Sequence, residues 1–236
     1  MINLLRVEFY KLKRFSFGYI ALLFMIVIGY LYGDSRLGNN PFPFTANTEV
    51  LFVNTVGDTS FAFLIAITAA LFMGKDFSSR TICNEIKLGH SRVQILLSRM
   101  FVVGMFSAFL HLAYLVSATV GFCVVRGFDA SMFCMENAFW LITVLTQLAA
   151  LTSLVVLITF LTKKVSEAIA LSALSIVLCC NILRNFIHIK IYTLSCFCFV
   201  QNSKAENLGI SFIGAVVTMV LFLSIAAVSF QKAEVK

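Results

Sequence analysis

The chain has 236 residues, 60% of them apolar and only 12% charged, with a mean hydropathy of +0.96 and a net charge of +7. A soluble domain carries about 25% charged and 45–50% apolar residues, so this chain has too little polar surface to cover a core in water. Its basic residues lie between long apolar runs and not on one soluble face, which argues against a nucleic-acid partner and for a bilayer.

The chain opens on an amphipathic pattern. Leu4, Leu5, Phe9 and Leu12 recur at helical spacing, with Arg6, Lys11, Lys13 and Arg14 around them. That predicts a helix lying on the inner leaflet, its cations toward anionic headgroups. The apolar run that follows exceeds the 7–15 residues of a signal-peptide core and no A-x-A-like site ends it, so it is expected to be a retained helix.

A helix rises 1.5 Å per residue, so about 20 apolar residues cross a hydrocarbon core of about 30 Å. This length predicts spans at about 16–33, 54–74, 98–125, 138–162, 166–184 and 208–230, all within one domain covering 1–236. The third is longer than needed and should tilt or project. Phe186 to Val200 is apolar but short, and it holds His188 and Lys190. Segments of that kind are interfacial or re-entrant more often than spanning.

With six spans and the N-terminus inside, thirteen of the eighteen basic residues are cytoplasmic, which is the bias the positive-inside rule requires. A seventh span would bury Lys190, at about 2.5–3.5 kcal/mol for a lysine at mid-membrane. The fold class expected is therefore all-α and polytopic, in the cell membrane with both termini cytoplasmic.

The longest cytoplasmic loop, about 75–97, is the most informative. Asp76 to Leu88 places Phe77, Ile82 and Ile86 among charges, which predicts a short amphipathic helix. Gly89 is positioned as its C-terminal cap. Ser91 with Gln94 three residues later forms a capping-box pattern that opens the next helix. Such a helix at the membrane face suits docking to another protein, and an ordinary connecting loop has the same spacing. Glu85, in the middle of the loop, is the carboxylate expected to face a partner.

Chemistry of the chain's own is not visible. No G-x-x-x-x-G-K-[ST] loop, H-E-x-x-H or G-x-S-x-G occurs. His90, His111 and His188 are far apart in the topology, and the seven cysteines form no C-x-x-C pair, so no metal site or complete disulfide framework is expected. Whether Cys196 pairs with Cys198 stays open. Asp58 and His111 are the main ionisable residues within spans, and so the candidates for a pathway. Equally, Asp58 has a place at the water interface and His111 a bond to a neighbouring helix.

In its motifs the chain resembles the bacterial ABC transporter permeases of the second, export-type class. The resemblance is carried by Glu8, Lys11 and Arg14, spaced E-x-x-K-x-x-R before the first span. It is carried also by Asp76-Phe77, Thr81, Gly89-x-x-Arg92, and Arg99 at the mouth of the third span. In size and layout it is most similar to the small permeases of lantibiotic-immunity and bacitracin-resistance exporters. The resemblance implies a partnership of two permeases, identical or homologous, with separately encoded ATPase subunits that bind the ATP and Mg. This chain would hold no cofactor and hydrolyse nothing. Asp76, Phe77, Arg80, Thr81, Glu85, Gly89 and Arg92 would couple to the ATPase, and Glu8, Lys11, Lys13 and Arg14 would form an interfacial helix touching the same partner. Phe186 to Val200 would be a re-entrant element before the last span. A secondary transporter and a membrane-embedded sensor or accessory subunit are the rival readings, and the substrate is not identified.

Overall fold

The computed structural model describes residues 2–34, 48–58, 61–79, 81–177 and 208–232. Among them every regular element is helical: α1 (Ile2–Lys13), α2 (Ser16–Gly33), α3 (Thr48–Gly57), α4 (Ala62–Ser78), α5 (Thr81–Lys87), α6 (Arg92–Arg126), α7 (Met135–Thr162), α8 (Val165–Val177) and α9 (Leu208–Lys232), with a 3-10 turn at Ala130–Met132.

Four helices, α2, α6, α7 and α9, are each long and apolar enough to cross a bilayer. The second expected span, 54–74, is not one helix. It is the pair α3 and α4, bent by 45° at a break after Gly57. Asp58 stands at this break, and its carboxylate accepts a 2.7 Å hydrogen bond from the Tyr114 hydroxyl of α6. The fifth expected span, 166–184, appears as α8 alone, whose 13 residues reach about 20 Å at 1.5 Å each. Residues 178–184 lie outside the described residues, as do Phe186 to Val200, Cys196 and Cys198. The described chain thus supplies four spans, or five with the bent pair.

A second boundary also differs. The helix expected over Asp76 to Leu88 is two helices: Asp76 and Phe77 close α4, and α5 begins only at Thr81. The hydroxyls of Ser78 and Ser79 both donate to the Lys75 carbonyl at 2.9 Å. Side chains that bond nearby backbone in this way compete with helix propagation. The cap was as expected. Gly89 has φ +87°, and the Gly89 and His90 amides close on the carbonyls of Ile86 (3.0 Å) and Glu85 (3.3 Å). This pairing is the Schellman motif, and it requires a residue tolerant of positive φ. Ser91 then caps α6 by accepting from the Gln94 amide at 3.3 Å. At 35 residues α6 runs about 52 Å, longer than a hydrocarbon core of about 30 Å.

Packing follows small residues. On α2 the buried face is Gly18, Ala21, Met25, Gly29 and Gly33. A Cβ at Gly29 would meet Ser117 and lie 2.6 Å from the Tyr114 carbonyl oxygen, and one at Gly33 would meet the Ala118 carbonyl. Small residues four apart let backbones approach closely in a membrane, where packing and not water drives association. α7 is the most buried of the four single-helix spans and α9 the least. The core runs from Phe15 and Phe72 through Leu96, Val103, Leu151 and Val155 to Phe230.

Candidate functional site

The polar residues that the loop and the N-terminal helix supply do not face outward together. They meet inside the protein. Arg99, on the second turn of α6, is 0% exposed. Its Nη2 lies 2.9 Å from Glu85 Oε2 of α5 and 3.0 Å from Asp76 Oδ2 of α4, and its Nε is 3.5 Å from Glu8 Oε1 of α1. Lys11 closes the group from the rim, with Nζ at 2.8 Å from Glu8, 3.2 Å from Glu85 and 3.3 Å from Asp76. One arginine and one lysine thus tie together α1, the end of α4, α5 and the start of α6. Arginine suits the buried position, because it stays charged and spreads that charge over a planar fork; here Nη2 donates to Glu85, while Nε and Nη1 have no hydrogen-bond partner among the described residues. Ile82, almost fully buried, and the part-buried Phe77 and Ile86 pack on the core beneath, as their spacing implied.

The charges do not balance. Three carboxylates surround two cations, and a buried surplus charge is expensive. Burial pushes the Glu8 carboxyl above its ordinary value of 4.5, although Arg99 and Lys11 oppose the shift. Burial also works against the Lys11 ammonium, but Asp76 and Glu8 outweigh it and its pKa rises. Glu8 is also the most buried of the three, at 1% exposed, and its Oε2 has no hydrogen-bond partner among the described residues, so it is the member to test as the surplus. A carboxyl whose folded pKa is raised costs the folded state nothing below its unfolded pKa, and the cost grows as pH rises through the folded value. Glu8→Gln copies the protonated form and leaves two carboxylates against two cations. Its thermal midpoint in detergent should match wild type near pH 4.5 and exceed it at pH 7.5. A variant less stable than wild type at pH 7.5 would show that Glu8 is needed ionised.

Several expected site residues have other engagements. Glu85, anticipated as an exposed carboxylate, is only 7% exposed and belongs to the joint, because it shares a helix face with Ile82. Arg92 donates from Nη1 to the carbonyls of Phe230 (2.6 Å) and Gln231 (2.8 Å) and stacks over the Phe230 ring, so it caps the end of α9. Phe77 packs edge-on against Phe160 at 5.2 Å. The Thr81 hydroxyl pairs with that of Ser79 at 2.7 Å. Arg80 lies outside the described residues. In α1, Glu8 and Lys11 turn inward, while Arg6 and Lys13, and Arg14 in the turn after it, are exposed, and Arg14 stacks over Tyr10 at 4.5 Å. Lys11 thus does not face the headgroups as its spacing implied, since Leu4, Glu8, Lys11 and Phe15 share one stripe of the helix.

On α5 and the turn after it, the residues left outward include Asn84, Lys87 and Leu88, with Leu88 78% exposed.

At the bent pair a second polar group assembles. His111, 4% exposed, donates from Nε2 to the Val56 carbonyl at 3.2 Å, and one turn later Tyr114 holds Asp58. Helix breaks within a membrane free backbone carbonyls, which need a partner. His111 supplies one, which is the neighbouring-helix bond weighed for it. The cavity between these residues measures about 10 Å³, about one water in size and too small for a substrate.

Two residues that matter were missed or undervalued in the sequence. Tyr114 drew no notice. Arg99 was legible only as a motif member, although an arginine inside an otherwise apolar run should prompt a search for buried carboxylates.

Among known protein families, the one described as ABC-2 family transporter protein matches residues 4–179. The match takes in every member of the ionic joint and the Asp58–Tyr114–His111 group. No curated protein matches the chain.

Proposed function

This chain belongs to the ABC-2 transporter family, and we propose from that premise that it moves an amphipathic antimicrobial peptide or drug outward, as one of two permeases driven by an ABC ATPase. Membership makes it a multi-pass membrane protein and a permease, and implies an ABC ATPase as the energy source; the secondary-transporter reading has no support left. The likeness in size and layout to lantibiotic-immunity and bacitracin-resistance permeases supports the substrate class and the cell membrane as its place. The bias of basic residues supports cytoplasmic termini.

The observation that carries the mechanism is the ionic joint. α5 would sit in a cleft of the ATPase through Asn84, Lys87 and Leu88. Because its other face is bound to α4, α6 and α1 through Glu85, a displacement of α5 would be shared by two spans and the N-terminal helix. Arg99 and Lys11 would act as the pins of that movement, and the ATPase would supply all nucleotide chemistry.

The test separates the two faces of α5. Leu88→Asp with Lys87→Glu should leave expression and membrane insertion normal, weaken co-purification of the ATPase at least tenfold, and abolish transport-linked ATP hydrolysis. Loss of one buried contact and one interface charge is worth about 2–5 kcal/mol at such a site. Full complex formation and transport by this double variant would remove α5 as the coupling surface.

A further inference from the structure

A groove of about 410 Å³ opens where α1 turns into α2, walled by Phe9 and Leu12 of α1, Leu22 of α2, and Met105 and Phe109 of α6, with Lys13 on its edge. That volume lies in the range of a pocket for one small ligand, about 300–1,000 Å³. Gly18 closes one end by tight packing, since a Cβ there would come within 2.8 Å of the Phe15 ring and 3.0 Å of Phe106. Tyr19 steadies the turn by donating to the Lys13 carbonyl at 2.8 Å.

Depth and charge both point to the occupant. Met105 and Phe109 follow Arg99 on α6 by six and ten residues, or about 9 and 15 Å along the axis. With Arg99 at the mouth of the span expected over 98–125, the groove stays within the leaflet that α1 borders, half of a core about 30 Å thick. Both residues are more than half exposed, so lipid chains reach the groove sideways. Of the neighbouring cations, Lys11 is neutralised in the joint, whereas Lys13 and Arg14 make no ion pair among the described residues. An apolar groove with an uncompensated cation at the headgroup level is complementary to one kind of molecule.

We propose that this groove holds a single anionic phospholipid, an acyl chain along Leu22, Met105 and Phe109 and the phosphate at Lys13 and Arg14. The site is distinct from the coupling face of α5, and the proposal requires only that the chain spans the bilayer. A lipid there would brace α1 against α2 and α6 beside the ionic joint.

The test is native mass spectrometry of the full chain released from nanodiscs of equal phosphatidylglycerol and phosphatidylcholine. Wild type should retain one lipid per subunit, with phosphatidylglycerol preferred. Lys13→Gln with Arg14→Gln should reduce that preference by about five-fold for each cation removed, the fold-change of about 1 kcal/mol per basic residue at an anionic surface. Met105→Trp should empty the groove, while Val220→Trp on lipid-facing α9 should not, and both should keep the wild-type thermal midpoint. Undiminished lipid retention by Met105→Trp would overturn the proposal. So would loss of the second permease or the ATPase with lipid retention unchanged, since the groove would then be a protein interface.

Discussion

Arg99→Met should be the most destabilising single substitution at the ionic joint, at about 3–5 kcal/mol in SDS titration of the micelle-bound protein. That is the usual cost of removing one partner from a buried charged pair. The reason is arithmetic as much as geometry. Wild type has Glu8, Asp76 and Glu85 around Arg99 and Lys11, and the variant leaves three carboxylates on one partly exposed lysine. Glu85→Gln should cost much less, because two carboxylates and two cations remain. Arg99→Lys should rescue only in part, since a single ammonium cannot reach Glu8 Oε1 and the Asp76–Glu85 pair with the spread of a guanidinium. A loss under about 1 kcal/mol for Arg99→Met, with transport intact, would mean that the joint neither holds the four helices nor transmits movement between them.

Bulk on the α2–α6 contact should act on the bundle at a second place. Gly33→Leu is expected to cost about 1–3 kcal/mol or more, the range for overpacking a tight contact. A Cβ there would meet the Ala118 carbonyl and lie 2.9 Å from the Phe122 amide nitrogen. These are backbone atoms and cannot swing aside as a side-chain end can. Gly29→Leu faces the Tyr114 carbonyl in the same way, and it would also disturb the residue that holds Asp58. Gly104→Ala is the control on α6, because its nearest neighbour would be Met100 Cε at 3.9 Å. It should be neutral or slightly stabilising, as alanine is the better helix former. Equal losses for Gly33→Leu and Gly104→Ala, read as unfolding midpoints in one detergent, would show that close backbone approach is not what holds α2 to α6.

Much was legible along the chain because its causes are local. The lengths of the apolar runs set α2, α6, α7 and α9, since the bilayer demands about 20 residues per crossing. Gly89 ended α5 and Ser91 began α6 because capping satisfies backbone groups within a few residues. The resemblance resting on Glu8, Asp76 and Arg99 led to the family that matches residues 4–179. The bend in the second span was not legible. Hydropathy averages over Gly57 and Asp58, whereas the break is stabilised by Tyr114 and His111, more than fifty residues away.

Composition and periodicity by themselves determined that this protein is helical and membrane-spanning. Each of those follows from the solvent and the backbone, not from who touches whom. Only the tertiary structure decided what the charged residues do. A periodic pattern says that Glu8, Lys11 and Glu85 lie on helices, but not which way a carboxylate turns once another helix offers an arginine. Arg99 settled that choice: fully buried, it requires counter-charges from whatever packs around it, and α1, α4 and α5 supply them. The same burial left Asn84, Lys87 and Leu88, and not Glu85, exposed on α5 and the turn after it.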